Sequence, residues 1–265
     1  MMTDYFKPVP FDLFKSDKKA FGDALCRSFR ETGFAVVSGH TVDQGVIDRN
    51  LDATKAFFAL PDAEKLKYDG RQGGGQRGYT AFGTENAKGN AHADLKEFWH
   101  TGRALPEDSP YRATMADTPS VPDVPAFDEA TTALFDALDE MGREILEGVA
   151  LHLGLAEDWF DDKVNFGNSI LRLLHYPPQQ TPPPAGTVRA GAHEDINVIT
   201  LLLGAEEAGL QVLHSSGEWL DVNPPAGALV EALPRCVAEG GKAEAPITAQ
   251  DYLMERLREI GLVKA

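Results

Sequence analysis

The stretch from residue 168 to residue 230 constrains the fold most. It breaks into short β-forming runs at 168–176 (NSILRLLHY), 188–193, 195–203 (DINVITLLL), 209–213, 218–222 and 227–230, each cut off by Pro, Gly, Ser or Asn. Runs so short and so closely spaced leave no room for helices between them, which excludes a βαβ sheet and points to an antiparallel sandwich or barrel.

Helical segments flank this β-rich core. Ser16 or Asp17 caps a helix whose Ala20, Phe21, Ala24, Leu25 and Phe29 recur at spacings of three and four, and Gly33 ends it. A strand follows at 34–38. A second amphipathic segment carries Val46, Ile47, Leu51, Ala53, Phe57 and Phe58, and Pro61 stops it before the charged turn DAEKLKY. The run RQGGGQRG at 71–78 is expected to be a loop, because glycine loses so much backbone entropy on ordering. A strand is expected at 94–100 (DLKEFWH), a proline-punctuated linker at 106–125, and a long helix at 126–152. That helix carries Phe127, Leu134, Leu138, Met141, Ile145, Val149 and Leu153 along one side, with Gly154 as its stop. Thr248 caps a last helix ending at Gly261.

At 265 residues the chain is long enough to bury a real core. Its 25 Lys+Arg against 41 Asp+Glu give a net charge of −16, a field that repels phosphate backbones and anionic lipid. Nucleic-acid and membrane partners are therefore not expected. No run approaches the roughly 20 apolar residues of a membrane span, and MMTDYFKPVP lacks a basic-then-apolar signal pattern, so a cytoplasmic protein is expected. Cys26 and Cys236 share no CxxC spacing and read as idle thiols rather than as a zinc site or a disulfide framework.

The chemistry-bearing pattern is H-x-D. A histidine and a carboxylate two apart at a strand end point the same way and can share one cation. His193 and Asp195 lie between two apolar runs, on the rim of the expected barrel, whereas His92 and Asp94 lie in the loop KGNAHAD. The alternative for either pair is a histidine hydrogen-bonded to a carboxylate in an ordinary turn. G-x-S-x-G, G-x-x-x-x-G-K-[ST] and H-E-x-x-H are absent from the sequence, and no G-x-G-x-x-G lies between an expected strand and an expected helix. Gly73, Gly74 and Gly75 precede no helix and do not form a phosphate cradle.

Around His193 and Asp195 the sequence resembles the isopenicillin N synthase-like branch of the Fe(II)/2-oxoglutarate-dependent oxygenases. The resemblance is carried by VPFDL (9–13), ETGFAVVSGH (31–40), KAFFALPDAEKLKY (55–68), RGYTAFGTENAKG (77–89) and DLKEFWHTGR (94–103). It continues through LRLLHYPP (171–178), AHEDINVITLLL (192–203), GLQVL (209–213) and GEWLDVNPPAGALV (217–230). It implies a mixed α and β fold, a double-stranded β-helix (jelly roll) core flanked by helices, with an N-terminal helical/strand region at 1–105 and the oxygenase core at 106–265. It further implies Fe(II) held by His193 and Asp195, with 2-oxoglutarate as cosubstrate, O2 as oxidant and succinate and CO2 as products. Tyr176 matches a tyrosine that contacts the cosubstrate, and Leu174 stands where some relatives carry asparagine. By strand alternation Arg172 shares a face with Leu174 and Tyr176, so it either meets a carboxylate inside the barrel or lies outward on the sheet. The implied substrate is a small molecule to be hydroxylated, desaturated or cyclised, with Arg77, Tyr79, Phe98 and His100 as candidates for the mouth of the site. An ethylene-forming or oxidase variant, and a non-catalytic jelly-roll binding protein without its iron, are the alternatives.

The sequence also departs from the family pattern. A second iron histidine and an Arg-x-Ser should follow, yet no histidine occurs after His214 and no serine after Ser216. The missing strands amount to roughly 40 to 50 residues. A break in the chain is expected between Val230 and Glu231, and His175 and His214 are the histidines to examine as substitutes.

Overall fold

The structure, a computed structural model, describes residues 5–70, 75–85, 92–195, 197–204 and 209–233. Its helices are α1 (Asp12–Ser16), α2 (Lys18–Thr32), α3 (Gln44–Phe58), α4 (Asp62–Lys65), α5 (Phe127–His152) and α6 (Asp161–Val164). Its strands are β1 (Val9–Pro10), β2 (Phe34–Ser38), β3 (Gly78–Thr80), β4 (Glu97–Gly102), β5 (Ile170–His175), β6 (Thr200–Leu202), β7 (Gln211–Leu213), β8 (Trp219–Asp221) and β9 (Leu229–Ala232). The described residues divide into two compact units, one of residues 5–42, 137–165 and 195–233, the other of residues 43–136 and 166–194. The units interleave along the chain.

In the first unit, the Asp17 side chain accepts the Ala20 N–H at 2.9 Å and Gly33, at φ 81°, closes α2 in the left-handed region that glycine enters without cost. Phe21 and Leu25 on that helix are fully buried. The chain then enters β2, whose Ala35, Val36 and Val37 are also fully buried, in a sheet of order β1-β2-β9-β6. Val36 and Val230 pack with Val212, Val222 and Ala228 on one side of that sheet. Cys26 is buried, which pushes its thiol up to about 11 and keeps it inert at neutral pH. Cys236 and the expected helix at 248–261 lie outside the described residues.

Strand β9 spans the point after Val230 at which the sequence departs from the family pattern. Val230 and Glu231 are consecutive residues of β9, paired to Val36 and Ala35 of β2 and to Leu202 and Leu201 of β6. The ladder continues because backbone pairing does not depend on the side chain. Alternation then turns Glu231 away from the Val36–Val230 cluster and buries it, with neither carboxylate oxygen hydrogen-bonded among the described residues.

The second unit is built on an aromatic core in which Phe57, Tyr79, Trp99 and Phe127 meet Phe58, Val121, Val124, Ala130 and Leu173. Its sheet has the order β3-β4-β5, antiparallel throughout. Strand β4 starts at Glu97 rather than at residue 94, because the backbone N–H groups of Asp94 and Leu95 go to the Glu85 and Val188 carbonyls instead of to a neighbouring strand of the sheet. The strand expected at 188–193 is not formed. Leu95 donates its N–H to the Val188 carbonyl at 3.1 Å, but the Gly191 N–H goes to the Asp94 side chain, so no ladder develops.

Candidate functional site

Side-chain alternation sorts β4 and β5 into two faces. Trp99 pairs with Leu173 toward the aromatic core, while Phe98 pairs with Leu174 and His100 with Arg172 on the other face. There the His100 ring contacts the Gly75 carbonyl through Nδ1 at 2.7 Å, so Nδ1 carries the proton and Nε2 accepts from Arg172 Nε at 2.7 Å. Burial, followed by the nearby charge of Arg172, holds the pKa of His100 down to about 3 and keeps the ring neutral. The Arg172 guanidinium lies 4.3 Å from the Phe98 ring centroid and donates through Nη2 to Glu85 Oε1 at 2.9 Å.

From Glu85 the network runs on. Lys96 Nζ lies 2.8 Å from Glu85 Oε2 and 2.8 Å from Asp94 Oδ2, and Asp94 Oδ1 accepts the Gly191 N–H at 3.0 Å. Burial pushes the Glu85 carboxyl up, but the charges of Arg172 and Lys96 outweigh it and bring the pKa to about 2. Burial raises the Tyr176 hydroxyl against the opposing charges of Lys96 and Arg172. Asp94 is thus an ion-pair partner and backbone anchor, the carboxylate of the His92/Asp94 pattern being engaged by Lys96 and Gly191.

The boundary between the units falls between Glu194 and Asp195, so His193 and Asp195 are described separately. His193 Nδ1 is 2.8 Å from the Gly191 carbonyl oxygen, which selects the Nδ1–H form. Asp195 Oδ2 accepts the Thr200 hydroxyl, and Thr200 in turn accepts from Asn197 at 2.7 Å. An imidazole with its Nδ1 tied to a carbonyl and a carboxylate are donor types that suit Fe(II). Among the described residues, no three His, Cys, Asp or Glu side chains are grouped so as to hold a metal, so these residues do not furnish a third ligand.

The other sequence candidates fall elsewhere. Arg77 is buried, its Nη2 donating to Asn168 Oδ1 at 2.7 Å, and its guanidinium lies against Gly102, where a Cβ would come within 1.9 Å of Arg77 Cζ. Tyr79 is on the core face, where it donates to Glu97. His175 shares that face, with Nδ1 2.7 Å from Glu97 Oε1, beside a cleft of about 550 Å3 lined by Phe58, Asp62, Lys65, Phe82 and Glu97. His214 lies in the turn between β7 and β8, with Nδ1 2.9 Å from Ser216 Oγ. Sequence reasoning missed Glu85 and Lys96. The available signal was the run of charges, D-x-K-E, leading into an otherwise apolar strand.

Two family profiles match the chain. Residues 9–124 match the non-haem dioxygenase in morphine synthesis N-terminal region, and residues 167–233 match the 2OG-Fe(II) oxygenase superfamily. Among solved structures, a 2OG-Fe(II) oxygenase family protein from Caulobacter crescentus is 50% identical with a TM-score of 0.79, over 86% of this chain and 73% of that one. A full-length Neurospora crassa protein in complex with alpha-KG is 26% identical with a TM-score of 0.73, over 86% of this chain and 72% of that one. The jelly-roll fold class expected from the sequence is the one these neighbours share. A 2-oxoglutarate-Fe(II) type oxidoreductase, hxnY, of Emericella nidulans is 36% identical over 207 residues, covering 75% of this chain and 59% of that protein. An Aspergillus fumigatus oxidoreductase of the same type is 34% identical, with 75% of this chain and 61% of that protein covered. The chain therefore spans about three-fifths of the length of these curated relatives.

Proposed function

The chain belongs to the 2OG-Fe(II) oxygenase superfamily, and on that premise we propose that it is an Fe(II)- and 2-oxoglutarate-dependent dioxygenase oxidising a small molecule. The observation that carries the reading is the H-x-D pair itself. His193 and Asp195 offer a nitrogen and an oxygen donor inside the matched segment 167–233, and the His193 ring is already set by the Gly191 carbonyl. Fe(II) bound there would supply the redox centre at which 2-oxoglutarate and O2 meet.

The protein's own residues prepare the site. Arg172, aimed by His100 and Glu85 and backed by Phe98, presents a cation that an anionic cosubstrate can use. Tyr176, with its hydroxyl kept protonated by burial, is a hydrogen-bond donor beside the same charges. Phe98 and His100, on the same sheet face as Arg172, are the proposed substrate-side residues. The Neurospora crassa neighbour has also been solved with alpha-KG and thymine, and the substrate proposed here is of that small size. The protein is proposed to work in the cytoplasm, and no described helix is long and apolar enough to cross a membrane.

The second reading, a binding protein without oxygenase activity, is favoured by one observation: the described residues do not group three metal-holding side chains. The full chain supplied with Fe(II) and 2-oxoglutarate in air separates the two. Succinate formation that requires Fe(II) and disappears in His193→Ala and Asp195→Ala is expected. No succinate under any condition, across a panel of small-molecule substrates, would leave the binding reading in its place.

A further inference from the structure

We propose that Asp94 is a positioning residue for His193, acting through Gly191; this rests on the reading of His193 as a metal ligand. The geometry is a short series of bonds inside one unit. Asp94 is 2% exposed, its Oδ1 accepting the Gly191 N–H at 3.0 Å and its Oδ2 accepting Lys96 Nζ at 2.8 Å. Gly191 then presents its carbonyl oxygen to His193 Nδ1 at 2.8 Å. A carbonyl can only accept, so the ring proton sits on Nδ1 and the electron pair on Nε2, the form in which an imidazole binds a metal through Nε2.

Gly191 is the weak link that Asp94 secures. Its N–H and its carbonyl belong to successive peptide planes joined at a glycine, where rotation is freest. The segment around it forms no strand, and the bonds that hold it to β4's approach are the Val188 carbonyl on Leu95 and the Gly191 N–H on Asp94. Lys96, itself buried between Asp94 and Glu85, bonds the other carboxylate oxygen and holds the Asp94 side chain in one orientation. Through Glu85 the same lysine connects to Arg172, so the cation on the sheet face and the histidine peptide share one anchoring network.

The test is made on the metal-free protein, so it does not depend on iron binding. Long-range 1H–15N correlation reads the His193 tautomer, and amide hydrogen exchange reads Gly191. The wild type is expected to hold the Nδ1–H form and a protected Gly191 amide. In Asp94→Ala, exchange at Gly191 should accelerate about tenfold or more and the His193 ring should shift toward Nε2–H. Asp94→Asn, which keeps an acceptor oxygen for Gly191, should restore most of the wild-type tautomer. A role confined to stability would lower the melting temperature and leave the tautomer where it was. Should Asp94→Ala not fold, Gly191→Pro removes the same N–H while keeping the Asp94–Lys96 pair, and it should shift the ring likewise. A His193 ring that stays in the Nδ1–H form in whichever of these variants folds overturns the proposal. Fe(II) binding by the wild type, measured separately, tests the ligand reading on its own.

Discussion

Glu231 is fully buried in β9, and neither of its oxygens has a hydrogen-bond partner among the described residues. Burial alone pushes its pKa up to about 8, so the folded protein carries it as the neutral acid at pH 7. In the unfolded chain the same group ionises near its ordinary value of 4.5. Its folded pKa is the higher one, so the stability it contributes is complete below about 4.5 and is lost as pH rises through about 8, a change worth several kcal/mol. Calorimetric melting at about pH 5 and about pH 8.5 should therefore show the wild type losing much more stability on the alkaline side than Glu231→Gln does. Equal losses in the two proteins would mean that the carboxyl is solvated or paired. Composition gave no warning of this residue, since a glutamate after an apolar strand reads as the strand's exposed end.

Helix packing makes a sharper demand on the sequence than periodicity conveys. A Cβ on Gly22 of α2 would stand 1.8 Å from the Gly148 carbonyl oxygen of α5, so alanine there would force the two helices apart. At Gly142, also on α5, the nearest atom to an added Cβ is Leu201 Cδ1 at 3.6 Å, an ordinary contact. Urea denaturation should show Gly22→Ala destabilised by about 2 kcal/mol or more. Gly142→Ala should be neutral, or gain up to about 1 kcal/mol from helix propensity. Similar effects at the two positions would contradict this account of the crossing. The ends of α2 were legible because Asp17 and Gly33 act locally, and so was α5 from its apolar spacing. The run at 188–193 misled because its glycine N–H is captured by a side chain about a hundred residues away, which no local pattern reports. The same limit hid the network around Arg172: Glu85, Lys96, His100 and Gly191 come together only through the sheet. His193 and Asp195 stood out because a two-residue spacing is a local signal.

For the whole molecule, a net charge of −16 sets a background that repels an anionic cosubstrate, and the local cations on the β4–β5 face work against it. Arg172 is the exposed member of that group, with a side chain 33% accessible, whereas Lys96 is buried in its ion pairs. Arg172→Met should accordingly raise KM for 2-oxoglutarate by a larger factor than it lowers Fe(II) affinity; a fall in Fe(II) affinity alone would place the arginine's role elsewhere. The central claim is that His193 and Asp195 hold Fe(II) although the described residues do not group a third ligand with them. Anaerobic equilibrium titration of the full chain with Fe(II) tests it most directly. The account predicts one Fe(II) per chain, with affinity lowered about tenfold or more in either His193→Ala or Asp195→Ala. No saturable binding, or binding that both variants retain in full, would contradict it.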